Sequence, residues 1–323
     1  MHGMSNEELT AEIYETKALI ELELSKFVNS LEHKLAPQAE YALLSGGKRL
    51  RPLIVLLAAQ SVGGDRKKAV KLALAFELTH TSSLVHDDII DRDVFRRGKL
   101  ALYNNWSANS AILTGDLLIA YAVYLASSYG GRIIKMISQA TIELCQGEHI
   151  DLMLSPGSTE KEYFQMIESK SASLFQAAAS CGALVGRASP KEFDCLSNFG
   201  KNFGIAYQLR DDLLDLEPSE GQVSKDLKKG RVALPLIHLY SLSNSSEKEA
   251  IDESLRAATK INNIKSDSAV KIILKRLEET GSIIYVEKKL EEYFQLTMTS
   301  LAPLKDSPYK LSLLQMSKLL RRR

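Results

Sequence analysis

Cysteine is scarce in this chain of 323 residues, which has only Cys145, Cys181 and Cys195. They form no Cys-x-x-Cys pair, and three cysteines cannot all be joined to one another in disulfides. This usage is typical of proteins from a reducing compartment. We therefore predict a cytoplasmic protein in which the three thiols are small core residues.

Neither sign of charge is in excess, since the chain has 41 lysines and arginines and 40 aspartates and glutamates. Such a chain has no general attraction for nucleic acid or for an anionic membrane surface. Long uncharged apolar runs are also missing. The most apolar stretch, Ala111 to Ala126, contains Asp116 and is shorter than the roughly 18 residues that a membrane span needs. We expect a soluble protein with no nucleic-acid partner and no transmembrane segment.

Strand patterns are absent too, because no segment alternates apolar and polar residues between turn signals. Apolar residues recur at helical spacing, and the few prolines and glycines fall between the periodic segments. We predict a single all-α domain over residues 1–323. Its helices are expected at Glu7 to Leu31, Leu53 to Ser61, Lys67 to Asp91, Ser110 to Ser128, Arg132 to Met153, Glu160 to Leu184, Pro190 to Leu216, Pro235 to Leu242, Glu247 to Ala258, Ser268 to Glu279, Ser282 to Thr299 and Lys305 to Leu320.

Two of these segments carry further expectations. The helix over Ser110 to Ser128 is almost wholly apolar, which predicts that it is buried all round. The segment 217–230 is polar and rich in lysine, and it contains glycine, so we expect a mobile loop over a site.

Two acidic motifs of the form Asp-Asp-x-x-Asp end two of the predicted helices, at Asp87–Asp91 and Asp211–Asp215. On a helix, the first and last aspartates of each motif lie on one face. Carboxylates this close together repel one another, and a cation relieves that repulsion. Magnesium commonly takes one or two carboxylates and completes its shell with water and substrate phosphate. The two motifs together predict a diphosphate held by metal between two acidic surfaces, although either motif alone could be a solvated helix end.

Several cationic and polar groups that suit phosphate accompany these motifs. Gly46–Arg51 places three cations at a glycine turn that begins a helix, where backbone N–H groups also attract anions. Arg96 and Arg97 follow the first motif, and arginine makes bidentate phosphate contacts. His80 lies two helical turns before Asp87. Taken alone, the basic turn could be solvated and His80 could be a core residue.

Taken in order along the chain, these residues resemble the motifs of the trans-isoprenyl diphosphate synthases, which are head-to-tail prenyltransferases. The matching residues are Gly46–Pro52, His80, Asp87–Asp91, Arg96–Gly98, Gly115–Asp116, Gln146–Gly147, Asp151–Leu152, Lys170–Ser171, Tyr207–Asp215, and Asp226 ahead of Leu234–Pro235. The resemblance implies an all-α isoprenoid synthase fold, a helical bundle around a central active-site cavity, and a homodimer.

The resemblance also implies a role for each matching residue. An isopentenyl diphosphate site would contain Lys48, Arg51, His80 and Arg97. The allylic diphosphate would be held by Arg96, Lys170, Ser171 and Gln208. Three magnesium ions would be ligated by Asp87, Asp91 and Asp211, with Asp88, Asp212 and Asp215 in support and Asp215 as a further candidate ligand. The residues implied in catalysis are Asp87, Asp88, Asp91, Lys170, Asp211 and Asp212.

The chain departs from the family pattern at two positions near Asp226. Lysines are usual four residues before and five residues after it, where this chain has Gln222 and Arg231. Arg231 can still bind phosphate, and Lys225 can compensate for the lysine that is missing at Gln222. Serine also replaces the common threonine at Ser171, and this change keeps the hydroxyl.

Product length is expected to depend on the residues beneath Asp87. Ser82 and Ser83 are small, whereas family members that make a fifteen-carbon product tend to have an aromatic residue there. We predict geranylgeranyl diphosphate as the product, with a longer hexaprenyl to octaprenyl chain as the alternative. Less favoured alternatives are a class I terpene cyclase, a non-catalytic synthase subunit, and a ferritin-like di-iron bundle built on Glu77 and His80.

Overall fold

The computed structural model describes residues 11–217, 224–259 and 264–321. The chain divides into two compact units, each assembled from three segments. The first unit comprises residues 1–141, 174–200 and 300–316, and the second comprises residues 142–173, 201–299 and 317–323. The single domain over residues 1–323 stays a prediction.

Helices dominate the described residues, and the predicted all-α class is confirmed. They are α1 (Ala11–Asn29), α2 (Ala36–Leu43), α3 (Leu50–Ser61), α4 (Arg66–Ile90), α5 (Leu102–Asn105), α6 (Ala108–Ser127), α7 (Gly131–Met153), α8 (Glu160–Ile167), α9 (Ser173–Val185), α10 (Pro190–Asp215), α11 (Lys225–Lys229), α12 (Leu234–Leu242), α13 (Ser245–Ala258), α14 (Ile264–Glu279), α15 (Ser282–Ser300) and α16 (Pro308–Ser317). A π-helical turn, Glu168–Ala172, joins α8 to α9, and a 3₁₀ turn, Lys318–Leu320, follows α16.

Helix α4 is central to the first unit because it packs against both α3 and α6. It begins at Asp65, whose side chain accepts a hydrogen bond from the N–H of Lys67 and so caps the helix. The approach of α6 is close at Gly115, where an added Cβ would lie 2.1 Å from Nε2 of His86. A larger residue at position 115 would therefore require the imidazole of His86 to move.

The expectation that α6 is buried all round is wrong. The helix buries one stripe, which includes Ala111, Leu118 and Ala122, while Leu113 is 54% exposed and Tyr124 is 72% exposed. It is long and apolar enough to cross a membrane by length and composition, and 33% of that apolar window is buried within the chain.

The cysteines are divided in the same way between core and surface. Cys181 and Cys195 are buried as expected, whereas the expectation is wrong for Cys145, which is exposed.

The segment 217–230 contains one element that was not expected. Its described part includes α11, whose N-terminal residue Ser224 caps the helix by accepting a hydrogen bond from the N–H of Leu227. The segment is therefore partly helical, and Gln222 lies outside the described residues.

A short hairpin was also not predicted. Strands β1 (Phe95–Arg96) and β2 (Lys99–Leu100) pair in antiparallel fashion. The two residues that connect them, Arg97 and Gly98, have φ values of 53° and 78°. Two positive φ values in a two-residue connection are typical of a type I′ turn, which suits the twist of the strands.

Candidate functional site

The first acidic motif lies at the C-terminal end of α4, and the middle one of its three aspartates, Asp88, is held inside the protein. Asp88 is 3% exposed and accepts hydrogen bonds from Arg96, with Nε 2.7 Å from the carboxylate oxygen. Burial raises the pKa of Asp88, and the guanidinium of Arg96 opposes that rise. Asp87 and Asp91 are half-buried and lie one turn apart. They are the two members of this motif with access to solvent.

The second motif, at the end of α10, has the same arrangement. Asp212 is 8% exposed, accepts a hydrogen bond from the hydroxyl of Tyr163, and accepts another from Nε2 of Gln208 at 2.7 Å. Burial raises the pKa of Asp212 to about 7. Asp211 is exposed. In both motifs, therefore, the middle carboxylate is buried and held by other side chains, whereas Asp87, Asp91 and Asp211 have access to solvent.

Asp215, the last residue of the second motif, contacts the start of α11. One of its oxygens accepts from the hydroxyl of Ser224 and from the N–H of Asp226 at 3.1 Å. The other oxygen accepts from the N–H of Lys225 at 3.1 Å. Both oxygens are thus engaged in holding α11, and direct metal ligation by Asp215 stays a prediction.

Asp226 lies in the first turn of this short helix, and Arg231 lies two residues after its last residue. Burial, and next the charge of Asp215, raise the pKa of Asp226 to about 6. Nη1 of Arg231 lies 3.6 Å from the Asp226 carboxylate. The arginine is thus placed near the second motif, while the side chain of Lys225 is exposed.

The basic residues predicted for isopentenyl diphosphate come together in the first unit. Arg97, at the tip of the hairpin, donates to the carbonyl of Gly46 and packs on Gly47, where an added Cβ would lie 2.9 Å from its guanidinium carbon. The guanidinium of Arg51 lies 4.2 Å from the centre of the Phe175 ring. Lys48 is exposed on the same turn.

His80 lies in the field of this cationic group. Burial lowers its pKa well below 6.5, and the charges of Arg51, Arg97, Arg96 and Arg49 lower it further. His80 is therefore neutral, so it can take part in a hydrogen bond without adding to the positive charge.

Arg49 is one of the three cations predicted at the glycine turn, but the structure uses it differently from its neighbours. It is 2% exposed and has a left-handed backbone, with φ 55°. Its guanidinium contacts Glu77 at 2.5 Å, Glu21 at 2.9 Å and the carbonyl of Leu43 at 2.6 Å. Arg49 thus anchors the basic turn to α1 and α4. Glu77 is used in this ion pair, which argues against the di-iron reading.

The π-helical turn places Lys170 and Ser171 in the second unit. The ammonium of Lys170 lies 2.5 Å from Asp151 and 2.6 Å from Glu148. Burial lowers the pKa of Lys170, but the two carboxylates outweigh burial and the pKa is raised. Gly147 makes this approach possible, since an added Cβ would lie 2.2 Å from the backbone nitrogen of Lys170. A π turn is common at functional sites.

Ser171 and Gln208 belong to one chain of hydrogen bonds. The Ser171 hydroxyl donates to Oε1 of Gln208 at 2.6 Å, and Gln208 in turn donates to Asp212. Tyr163 ends the chain on the other side of Asp212 and was not identified from the sequence. Glu148, which shares Lys170 with Asp151, was also missed, although the two acids lie one turn apart on α7.

The two predicted chain-length residues lie on different sides of α4. Ser82 is fully buried and donates to the carbonyl of Gly115 at 2.8 Å, so it faces α6. Ser83 is half-buried, lies one turn before Asp87, and donates to the carbonyl of His80 at 2.9 Å. Ser83 is therefore the one on the face of Asp87.

The solvent-accessible carboxylates fit magnesium better than a metal held by protein alone. Within the described residues, no three histidines, cysteines, aspartates or glutamates converge as ligands of one ion. Magnesium does not require such a set, because it usually keeps several waters and binds one or two carboxylates together with substrate phosphates. Asp87 with Asp91, and Asp211, meet that requirement.

Comparison with known proteins identifies relatives over most of the chain. The Polyprenyl synthetase family model matches residues 32–273. A geranylgeranyl diphosphate synthase of Methanosarcina mazei is 34% identical over 300 residues, which cover 88% of this chain and 88% of the relative. An octaprenyl diphosphate synthase of Escherichia coli is 32% identical over 281 residues, covering 85% of each chain.

Solved structures agree with the sequence relatives. The crystal structure of geranylgeranyl pyrophosphate synthetase from Pyrococcus horikoshii has a TM-score of 0.90 and 33% identity, and the match covers 99% of this chain and 100% of that one. A polyprenyl synthase from Caulobacter crescentus, solved with calcium and isoprenyl diphosphate, has a TM-score of 0.85 and 25% identity, with 96% of each chain covered. These matches confirm the isoprenoid synthase fold and the resemblance seen in the motifs. The chain belongs to the polyprenyl synthetase family.

Proposed function

We propose that this chain condenses isopentenyl diphosphate head-to-tail with an allylic diphosphate and that its product is geranylgeranyl diphosphate. The observation that carries the proposal is the shared design of the two acidic motifs. In each one the middle aspartate is buried and held, by Arg96 or by Tyr163 and Gln208, while Asp87, Asp91 and Asp211 have access to solvent. Such an arrangement suits metal-bound diphosphate.

Magnesium is the cofactor that we propose, with three ions in the active site. Its ligands would be Asp87 and Asp91 in the first motif and Asp211 in the second. Bound magnesium would draw negative charge from the allylic diphosphate as its C–O bond breaks. The Caulobacter crescentus relative, solved with calcium and isoprenyl diphosphate, supports a divalent cation.

The chain's own residues would hold the two substrates. Lys48, Arg51 and Arg97 bind the isopentenyl diphosphate, beside the neutral ring of His80. Lys170, Ser171, Gln208 and Arg96 hold the allylic diphosphate, so that positive charge is already in place where the leaving group becomes negative. The double bond of isopentenyl diphosphate then attacks the allylic carbon, and the proton that is lost passes to the released diphosphate. No side-chain base is required.

Two product lengths are supported by different observations: geranylgeranyl diphosphate and a longer chain. Small residues at Ser82 and Ser83 support growth beyond farnesyl, and the relative from Methanosarcina mazei is named a geranylgeranyl diphosphate synthase. The Escherichia coli octaprenyl diphosphate synthase is nearly as similar, at 32% identity, and supports the longer-chain alternative.

We also propose a homodimer in the cytoplasm. Helix α6 leaves Ile112, Leu113, Val123 and Tyr124 exposed. Large apolar side chains exposed together mark an interaction surface, and a second copy of the chain is the occupant that the family resemblance implies.

The test is chain-length analysis of the purified protein. Labelled isopentenyl diphosphate is incubated with dimethylallyl, geranyl or farnesyl diphosphate, with magnesium or with a chelator. We expect twenty-carbon product with magnesium and none with the chelator. Product of thirty carbons or more would favour the alternative. Hydrocarbon from geranylgeranyl diphosphate alone would indicate a cyclase, and no elongation with any primer would refute the proposal.

A further inference from the structure

A second group of cations lines a cavity of about 610 Å³ in the first unit, remote from the first acidic motif. Lys67, Lys68 and Lys71 come from the start of α4, and Arg132 and Arg187 come from the start of α7 and the end of α9. Lys71 precedes Asp87 by sixteen residues on one helix, a separation of about 24 Å. The cavity is therefore separate from the first acidic motif.

The five cationic side chains around this cavity are exposed to solvent. No aspartate or glutamate lines it, and none of the five cationic side chains has an ion pair within residues 11–217, 224–259 and 264–321. The N-terminus of α4 also lies here, and the carboxylate of Asp65 caps it. Five cations around one cavity repel each other, and an anion bound among them would relieve that repulsion.

Arg187 adds an independent observation. It has a φ value of 61° at the end of α9, where its N–H bonds to the carbonyl of Leu184 and the N–H of Ala188 bonds to the carbonyl of Ala183. This is the Schellman arrangement, in which glycine is the usual left-handed residue. Arginine is strained there, and no hydrogen bond or ion pair of its side chain offsets the strain within the described chain. Strain of this kind is typical of functional positions.

The walls of the cavity point to an amphiphilic ligand. Ile133, Leu184 and Val185 also line it, so apolar surface lies next to the cations. The Tyr129 hydroxyl accepts the N–H of Leu72 at 3.1 Å and so ties this wall to α4. A volume of about 610 Å³ is within the range of small-molecule pockets and exceeds what a diphosphate group alone would fill.

We propose that this cavity is a second, metal-independent site for an isoprenoid diphosphate, with the diphosphate among the five cations and the start of the isoprenoid chain against the apolar wall. The choice of an isoprenoid rests on the proposed function. The cavity would let the enzyme bind its own class of product away from the first acidic motif.

The test is hydrogen–deuterium exchange with a chelator present, which removes metal-dependent binding at the acidic motifs. Geranylgeranyl diphosphate should protect the backbone amides at 67–72 and 184–188. Arg187→Gly should weaken that protection about tenfold in ligand concentration, since a charged hydrogen-bond donor is lost. Because glycine suits the left-handed position, its thermal unfolding temperature should be equal to or higher than that of the wild type. Lys135→Ala removes an exposed lysine on α7 that does not line the cavity, and it should leave protection unchanged.

Three further ligands test whether the cavity recognises the diphosphate group alone, the isoprenoid chain alone or a lipid surface. Inorganic diphosphate should protect the same amides only at higher concentration, geranylgeraniol should not protect them, and phosphatidylserine vesicles should not compete. Equal protection by inorganic diphosphate would reduce the site to an anion site and overturn the isoprenoid assignment, and vesicle competition would indicate a membrane surface instead. Unchanged binding in Arg187→Gly would refute the site. Prenyltransferase activity, measured separately, distinguishes failure of this site from failure of the proposed function.

Discussion

Arg49 and Lys48 are adjacent in the basic turn, but they have different roles. Arg49 is buried and bonded to two glutamates and a carbonyl, whereas Lys48, the residue before it, is exposed. Arg49 also has a left-handed backbone, with φ 55°. Charge alone therefore does not identify which residue of a basic motif binds substrate.

This contrast predicts opposite phenotypes for two alanine variants. Arg49→Ala leaves Glu77 buried without its partner, so the free energy of unfolding should fall by about 3–5 kcal/mol in urea titrations. Lys48→Ala should change it by less than about 0.5 kcal/mol and should raise the KM for isopentenyl diphosphate. Equal losses of stability in the two variants would contradict the division of roles.

The lowered pKa of His80 predicts a pH dependence of stability. Below about pH 6.5, the ordinary pKa of histidine, the unfolded chain binds a proton on this side chain that the folded chain does not bind. The unfolded state is thus favoured as pH falls, and the histidine should contribute up to about 1.4 kcal/mol of lost stability per pH unit in that window.

The measurement compares wild type with His80→Gln, which keeps a polar side chain but does not titrate. Urea unfolding at about pH 7.5 and about pH 5.5 should show the larger loss in the wild type. A loss of the same size in both proteins would place the acid sensitivity in other groups.

At the scale of elements, the π-helical turn depends on a glycine in a neighbouring helix. Gly147→Ala would bring a Cβ to 2.2 Å from the backbone nitrogen of Lys170, so the turn must move. We expect the free energy of unfolding to fall by about 1–3 kcal/mol, as in other overpacked sites, and the KM for the allylic diphosphate to rise.

Gly157→Ala is the matched control in the same unit. Its added Cβ would meet Tyr240 at 3.6 Å, an ordinary van der Waals contact. Both stability and KM should stay near the wild-type values. If Gly147→Ala behaves like this control, Lys170 is not held by the close approach of the two helices.

The two candidate chain-length residues, Ser82 and Ser83, lie on different faces of helix α4. Ser83→Phe places a ring on the face of Asp87, at a half-buried position, and should shorten the product toward fifteen carbons in the chain-length assay. Ser82→Phe should also shorten the product, but it must displace α6 from the carbonyl of Gly115, at a cost of about 1–3 kcal/mol in stability. A twenty-carbon product from Ser83→Phe would exclude this face from length control.

The same helix shows what periodicity can predict. Lys67 to Asp91 was expected and Arg66–Ile90 is found, because Asp65 supplies a cap and the apolar spacing is uninterrupted. The hairpin at 95–100 could not be predicted, since strands of two residues are too short to show alternation. The π turn was missed for a related reason: it inserts into an otherwise regular helical pattern.

The candidate site was predictable only in part. The acidic motifs and the basic turn are local patterns, so their residues could be named from the sequence. The contact between Tyr163 and Asp212 joins residues 49 positions apart, and no local pattern marks such a pair. Burial of the middle aspartates likewise depends on neighbouring helices.

For the whole molecule, the exposed side of α6 is the feature that the sequence predicted wrongly. The almost wholly apolar composition of this helix predicted that it would be buried on every side. A helix that is apolar on all sides is buried, but the sequence does not say whether its own chain or another copy covers it. Here Leu113 is 54% exposed and Tyr124 is 72% exposed. A specific interface buries about 800 Å² per partner, which a face of this kind, on a helix of 20 residues, can begin to supply.

We therefore expect the protein to sediment as a dimer of twice 35.8 kDa. Leu113→Glu places a charge in the proposed interface, where an unpaired charge is costly to bury, and should shift the sedimentation coefficient toward the monomer. Leu22→Glu is the control, because Leu22 is 52% exposed on α1 and lies outside α6. If both variants stay dimeric while remaining folded by circular dichroism, α6 is not the interface. A monomeric wild type would remove the homodimer altogether, and the exposed face of α6 would then need another occupant.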